Sequence, residues 1–182
     1  MRGARRGRTV SRRHVILVGL PGSGKTTVGR LAAAALGAPF VDLDEAVERR
    51  AGTSVAAIFR DGGEGAFRAL ETWCGEEALS SAPSVIATGG GFLEDPANAE
   101  AARAGGLLVY LAVSPRIAAV RLEGASVRPL LEGGEGAERI AELLRRREAA
   151  YLAAEQVVTT DEMSAAEVAA AVVSLARGLA HW

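Results

Sequence analysis

Apolar residues follow two rhythms along this chain. Short unbroken runs occupy residues 15–18, 40–41, 85–87, 107–111 and 157–159, lengths that suit buried strands. Between them lie stretches with helical character, at residues 26–36, 44–51, 55–59, 64–79, 96–104, 115–122, 137–154 and 165–180. Several helix starts are written in side chains. Asp95-Pro96 and Ser114-Pro115 each set a capping group before a proline at the first helical position. Ser164 and Glu167 have the spacing of a capping box. Runs such as Leu107-Leu108-Val109, apolar at every position, suit strands buried on both faces. Strands alternating with helices predict an α/β domain, a parallel sheet covered on both sides. The glycine-rich segments 62–65 and 132–136 interrupt that domain and are expected to be mobile segments near a site.

Composition narrows the picture. A length of 182 residues fits a single domain with a real core, and an apolar fraction of 49% excludes a wholly disordered chain. A net charge of −1 argues against a molecule that binds nucleic acid by overall charge. The lone cysteine, Cys74, has no internal disulfide partner, as suits a reducing cytoplasm. No apolar run reaches the roughly 18 residues of a membrane span. Residues 1–13 hold six arginines and are expected to form a basic disordered tail, leaving residues 14–182 as the domain. The expectation is a cytoplasmic monomer with small-molecule partners and neither nucleic acid nor membrane.

The charges contain one anomaly: Lys25 is the only lysine, and every other positive side chain is arginine. Lys25 lies in Gly19-Leu20-Pro21-Gly22-Ser23-Gly24-Lys25-Thr26, which has the spacing of a phosphate-binding loop between a predicted strand and a predicted helix. Glycines let backbone N–H groups converge on a phosphate. The following helix adds free N–H groups and the positive end of its dipole. A lysine ammonium is a compact charge that follows a phosphoryl group in flight better than a flat guanidinium does. Gly22, Ser23, Gly24, Lys25, Thr26 and Thr27 are therefore candidate nucleotide contacts, and Thr26 offers its hydroxyl to Mg²⁺. The alternative is a glycine turn with a surface lysine.

Further segments bear on the reaction. Asp42 and Asp44 follow the second strand, two residues apart, and extended backbone would point both to one side. One could hold the hydration shell of Mg²⁺ and the other accept a proton from a hydroxyl, or Asp44 could merely cap the next helix. Arg68 and Glu71 are spaced to pair on a helix, in the site or on the surface. Gly89, Gly90 and Gly91 end a strand, where they allow close approach to a ligand or form a plain turn. Arg128 lies on a loop that could fold over phosphates or be solvated. Arg147 shares a helical stripe with Ile140, Leu143, Leu144 and Tyr151, so it faces inward and needs an anion, either a ligand carboxylate or an internal acid.

Taken in order, the segments GLPGSGKTT, FVDLD, GEGAFRALE, ATGGG and VRPLL, with the pair Arg147 and Tyr151, resemble the shikimate kinases. The resemblance runs from about residue 15 to residue 180. It implies a three-layer α/β/α fold of the P-loop kinase type, a central five-stranded parallel sheet and a small mobile lid around residues 122–136. It also implies phosphorylation of the 3-hydroxyl of shikimate by ATP with Mg²⁺, a step of aromatic amino acid biosynthesis. By matching position, Asp42 and Thr26 would serve the metal, and Asp44 would bind the shikimate hydroxyls and act as base. Arg68 and Arg147 would bind the carboxylate, and Gly89, Gly90 and Gly91 would present backbone N–H groups to the acceptor. Arg128 would be the lid arginine, Arg121 would lie beside adenine, and Phe59, Phe67 and Glu71 would shape the acceptor pocket. The chain departs from the pattern at Phe92, where a small residue is expected, at the acidic segment 160–163, and in its arginine-rich start.

Two other functions share parts of the pattern. A kinase acting on another polyol acid, a shikimate analogue or a nucleotide would use the same loop, but a phosphate acceptor has less need of a base at Asp44. A nucleotide-binding regulator without turnover would usually carry a metal-holding Asp at the end of an apolar strand. Here that strand runs through Thr88 into glycines.

Overall fold

The structure is a computed structural model and describes residues 11–123 and 136–182. Its strands are β1 (His14–Val18), β2 (Phe40–Asp42), β3 (Val85–Ala87), β4 (Gly106–Ala112) and β5 (Gln156–Thr159). Its helices are α1 (Lys25–Leu36), α2 (Leu43–Ala51), α3 (Val55–Leu79), α4 (Pro96–Gly105), α5 (Pro115–Glu123), α6 (Gly136–Leu152) and α7 (Ala165–Leu179), with a 3₁₀ turn at Phe92–Glu94. All described strand pairs are parallel, in the order β2-β3-β1-β4-β5. Strand order reverses beside β1, which opens a crevice at its carboxyl end, the usual ligand position in such sheets.

The unbroken apolar runs are explained by the two faces. Val15 and Leu17 point into a core with α1 and α7, through Val28, Ala32, Val168 and Val172. Ile16 and Val18 point into a second core with α2, α3 and α6, through Leu43, Val47, Phe67 and Ile140. Each fully buried side chain of this kind contributes roughly 1.5–3 kcal/mol.

α3 runs through the glycine-rich segment, but Gly63 is non-helical (φ 73°, ψ −179°), which kinks it between the two helices expected there. The start of the domain differs from expectation. Arg12 and Arg13, assigned to the tail on composition, are fastened to the body. The Arg13 backbone donates to the Ala180 carbonyl at 3.0 Å, and its guanidinium donates to the Gly106 carbonyl at 2.6 Å. Trp182 Nε1 returns a bond to the Arg13 carbonyl at 2.9 Å, and Arg12 stacks over the Trp182 ring. Arg128 and most of the expected lid lie outside the described residues. Among the described residues no helix is long and apolar enough to cross a membrane.

Candidate active site

The loop after β1 needs its glycines for two reasons. Gly19, Gly22 and Gly24 have φ of 143°, 81° and 93°, a region that side chains disfavour. A Cβ on Gly19 would stand 2.6 Å from the Leu111 carbonyl oxygen, and one on Gly22 would stand 2.7 Å from that of Ala118. Gly24 starts α1 without a side-chain cap, so the helix presents its first N–H groups to the crevice. Lys25 Nζ folds back over the loop and donates to the carbonyls of Gly19 (2.8 Å) and Leu20 (3.0 Å).

Thr26 Oγ1 donates to Asp42 Oδ2 at 2.6 Å. The other oxygen, Asp42 Oδ1, accepts from the backbone N–H of Asp44 and Glu45, so Asp42 is the N-cap of α2. The capping role considered for Asp44 therefore belongs to Asp42. The strand alternation expected to align the two acids does not apply, because the chain turns into helix at Leu43. Both nonetheless line one cavity of about 590 Å³ with Lys25, Thr26 and Gly90. Thr26 and Asp42 offer a hydroxyl and a carboxylate, hard oxygens that suit Mg²⁺ retaining most of its water.

The triple glycine follows β3 at the same end of the sheet as the phosphate loop. None of the three has a left-handed backbone; what excludes a side chain there is space. A Cβ on Gly89 would collide with Glu71 Oε1 and stand 3.2 Å from Asp44 Oδ1. One on Gly90 would stand 3.1 Å from Pro21 and 3.3 Å from Arg147 Nη1. One on Gly91 would collide with Arg68 and stand 2.6 Å from Glu94 Oε2. The glycines thus bring Asp44, Arg68 and Arg147 to one surface beside the phosphate loop.

Glu71 is fully buried, and its Oε2 accepts from Arg68 Nη1 at 2.6 Å. Burial pushes the Glu71 carboxyl above its usual range, against the pull of Arg68. Arg68 also donates to Glu64 at 3.1 Å. Arg147 is buried and pairs with Glu94 Oε2 at 2.9 Å, so an internal acid does meet this inward arginine. One turn further on, Tyr151 donates its hydroxyl to the Gly90 carbonyl and stacks on Tyr110 at 5.1 Å. Burial raises the Tyr151 hydroxyl pKa and keeps it a donor. Phe59 and Phe67 pack together at 4.7 Å, with Phe67 buried. Phe92 does not crowd the cavity. It is buried beneath the turn, where it fills the space a Cβ on Gly75 would need.

The cavity extends to α5 and the loop after β5. Arg121 donates to the Thr160 carbonyl at 2.6 Å and to its hydroxyl at 3.1 Å. Thr160 and Met163 line the cavity, although their acidic segment argued against a role there. Its Asp161 is occupied elsewhere, accepting from the Ser114 N–H at the start of α5 at 2.8 Å. A second depression, between α1 and α7, is lined by small apolar residues such as Ala35 and Ala169 and gathers no acid.

Among the described residues, the buried side-chain polar atoms without a hydrogen-bond partner are Ser23 Oγ, Glu71 Oε1 and Arg147 Nε. All three belong to residues that border this cleft, a place where unsatisfied groups point to function. The profile of the shikimate kinase family matches residues 21–177. The chain belongs to the shikimate kinase family. It is therefore a phosphotransferase, with ATP as co-substrate. Against the shikimate kinase of Chlorobaculum tepidum it is 43% identical over 155 residues, covering 81% of each chain. Against that of Moorella thermoacetica it is 44% identical, covering 86% of this chain and 90% of the other. A solved shikimate kinase from Acinetobacter baumannii in complex with shikimate superposes with a TM-score of 0.88 at 33% identity, covering 92% of this chain and 94% of that one. The shikimate kinase match begins inside the phosphate loop and spans every described charged residue of the cleft. Tyr151 was already marked by its helical pairing with Arg147, whereas Glu94, Thr160 and Met163 complete a site that local motifs did not reveal.

Proposed function

We propose that this enzyme transfers the γ-phosphoryl group of ATP to the 3-hydroxyl of shikimate, with Asp44 as the base. The shikimate oxygen attacks γ-phosphorus, the bond to the β,γ-bridging oxygen breaks, ADP leaves with the electron pair, and the hydroxyl proton passes to Asp44. Arg68 and Arg147 bind the acceptor carboxylate through charge-assisted hydrogen bonds. Backbone N–H groups of Gly89 to Gly91 hold the ring. Gly22, Ser23, Gly24, Thr26 and Thr27 cradle the phosphates, Lys25 neutralises the transferring group, and Arg121 lies beside adenine. Thr26 and Asp42 hold Mg²⁺, which neutralises phosphate charge when bound. Arg128, outside the described residues, carries no step.

The observation that carries this reading is the convergence of Asp44 with the guanidinium groups of Arg68 and Arg147 on the three glycines beside the phosphate loop. The buried, unpaired Cys74 supports a cytoplasmic location.

Asp44→Asn tests the reading by coupled ADP release. A positioned base contributes roughly 10²–10⁴-fold, so kcat should fall by about that factor while the KM for ATP changes little. A loss under about tenfold would remove Asp44 from the mechanism. In the same assay shikimate should outpace quinate, gluconate and nucleoside monophosphates. A faster gluconate reaction would favour another polyol acid, and ATP binding without turnover would favour a regulator.

A further inference from the structure

The acceptor side holds one acid that the mechanism leaves without a task. Glu94 Oε2 lies 2.9 Å from Arg147 Nη2 and 3.5 Å from Arg68 Nη2, so a single oxygen bridges both guanidinium groups. Its other oxygen lies 3.6 Å from Arg146 Nη2 at the rim. Glu94 is the described carboxylate within ion-pair distance of Arg147, whose side chain is 8% exposed. Arg68, in contrast, is already braced from behind by Glu71 and Glu64.

The backbone that carries Glu94 is built. The Glu94 N–H donates to the Gly91 carbonyl at 2.9 Å. Phe92 and Leu93 are buried in the core below it, and Asp95 immediately caps α4. The side chain is 29% exposed and has solvent on one side. The carboxylate is thus delivered to a fixed place by a rigid turn, and its own torsions let it leave.

We propose that Glu94 stands in for the acceptor's carboxylate between Arg68 and Arg147 when no acceptor is bound, and swings toward Arg146 and solvent when an acid acceptor enters. This rests on the reading that Arg68 and Arg147 bind the acceptor carboxylate. Two uncovered guanidinium groups would attract small anions without discrimination. An internal carboxylate covers them and yields to a ligand that brings its own carboxylate on a scaffold fitting the glycine floor. Glu94 is therefore a specificity residue that weakens acceptor binding in return for selectivity.

The test compares Glu94→Gln and Glu94→Ala with the wild type. In both variants the KM for shikimate should fall roughly threefold, as expected when a partly exposed ion pair no longer competes. Shikimate should also bind more tightly by calorimetry without ATP, and kcat should move less than KM. The inhibition constant of cyclohexanecarboxylate should fall by a similar factor, whereas binding of the uncharged amide of shikimate should gain less. An unchanged or raised KM in both variants would overturn the proposal. Arg147→Lys, assayed in parallel, separates the two readings. If it raises the KM for shikimate about tenfold while the Glu94 variants lower nothing, only the stand-in role fails. If it leaves KM unmoved, the carboxylate site itself is wrong and the stand-in role falls with it.

Discussion

Gly89→Ala isolates the effect of space in the cleft. Gly89 does not have a left-handed backbone, so alanine meets no conformational penalty there. Its methyl would instead be driven into Glu71 Oε1 and sit 3.2 Å from Asp44 Oδ1. Glu71 has no room to retreat, being 1% exposed and tied to Arg68 at 2.6 Å. Overpacking of this kind costs about 1–3 kcal/mol, offset by about 0.4–1 kcal/mol from the stiffer unfolded chain. A net loss of about 1–2 kcal/mol follows. With a urea slope near 2 kcal/mol/M, the unfolding midpoint should fall by about 0.5–1 M. The KM for shikimate should rise in the same variant, since the methyl presses on both acids under the acceptor. Adding Glu71→Ala removes the obstacle, so the double variant should be less destabilised than the two single losses summed, by about 1 kcal/mol. A wild-type midpoint for Gly89→Ala, or strict additivity with Glu71→Ala, would refute the claim that close approach selects this glycine.

Glu71→Gln should change how stability depends on pH. Burial raises the Glu71 carboxyl pKa in the folded protein, so the folded state holds a proton that the unfolded chain releases. Wild-type stability then falls as pH rises from the ordinary carboxyl range, about 4.3, through the raised value, while glutamine contributes no slope. The stability of wild type relative to Glu71→Gln, measured in urea at several pH values, should decline across that window; a rise would mean that Arg68 outweighs burial. Tyr151→Phe keeps the ring stack on Tyr110 but strands the Gly90 carbonyl. It should cost about 1–2 kcal/mol in urea unfolding and reduce kcat/KM for shikimate. A loss under about 0.5 kcal/mol would show the bond to be dispensable.

What the sequence discloses is what depends on near neighbours. The strands are legible because both faces of the sheet are covered, leaving few polar interruptions. The phosphate loop is legible because its glycines and Lys25 are consecutive in the chain. Asp42 and Asp44 share one cavity, but not through strand alternation, since periodicity does not resolve where β2 yields to α2. Glu94 had no local signal, because its partners Arg68 and Arg147 come from distant helices; the one hint was an inward arginine that needed an acid. Phe92 was ambiguous for the same reason, and the space beside Gly75, on α3, decides that it is core. The acidity of the segment after β5 concealed the cavity-lining Thr160 and Met163 until Asp161 was seen to serve Ser114.

The two cores divide the labour of the molecule. Asp44, Arg68, Glu71, Glu94 and Arg147 all hang from α2, α3, the 3₁₀ turn and α6, which cover one face of the sheet. The opposite face, packed by α1 and α7, lends the head of α1 to the phosphate loop and the first turn of α7 to the cavity wall. Mutational drift that retunes the acceptor is thereby confined to a single stratum, while the far stratum serves as ballast that keeps the scaffold upright through the change.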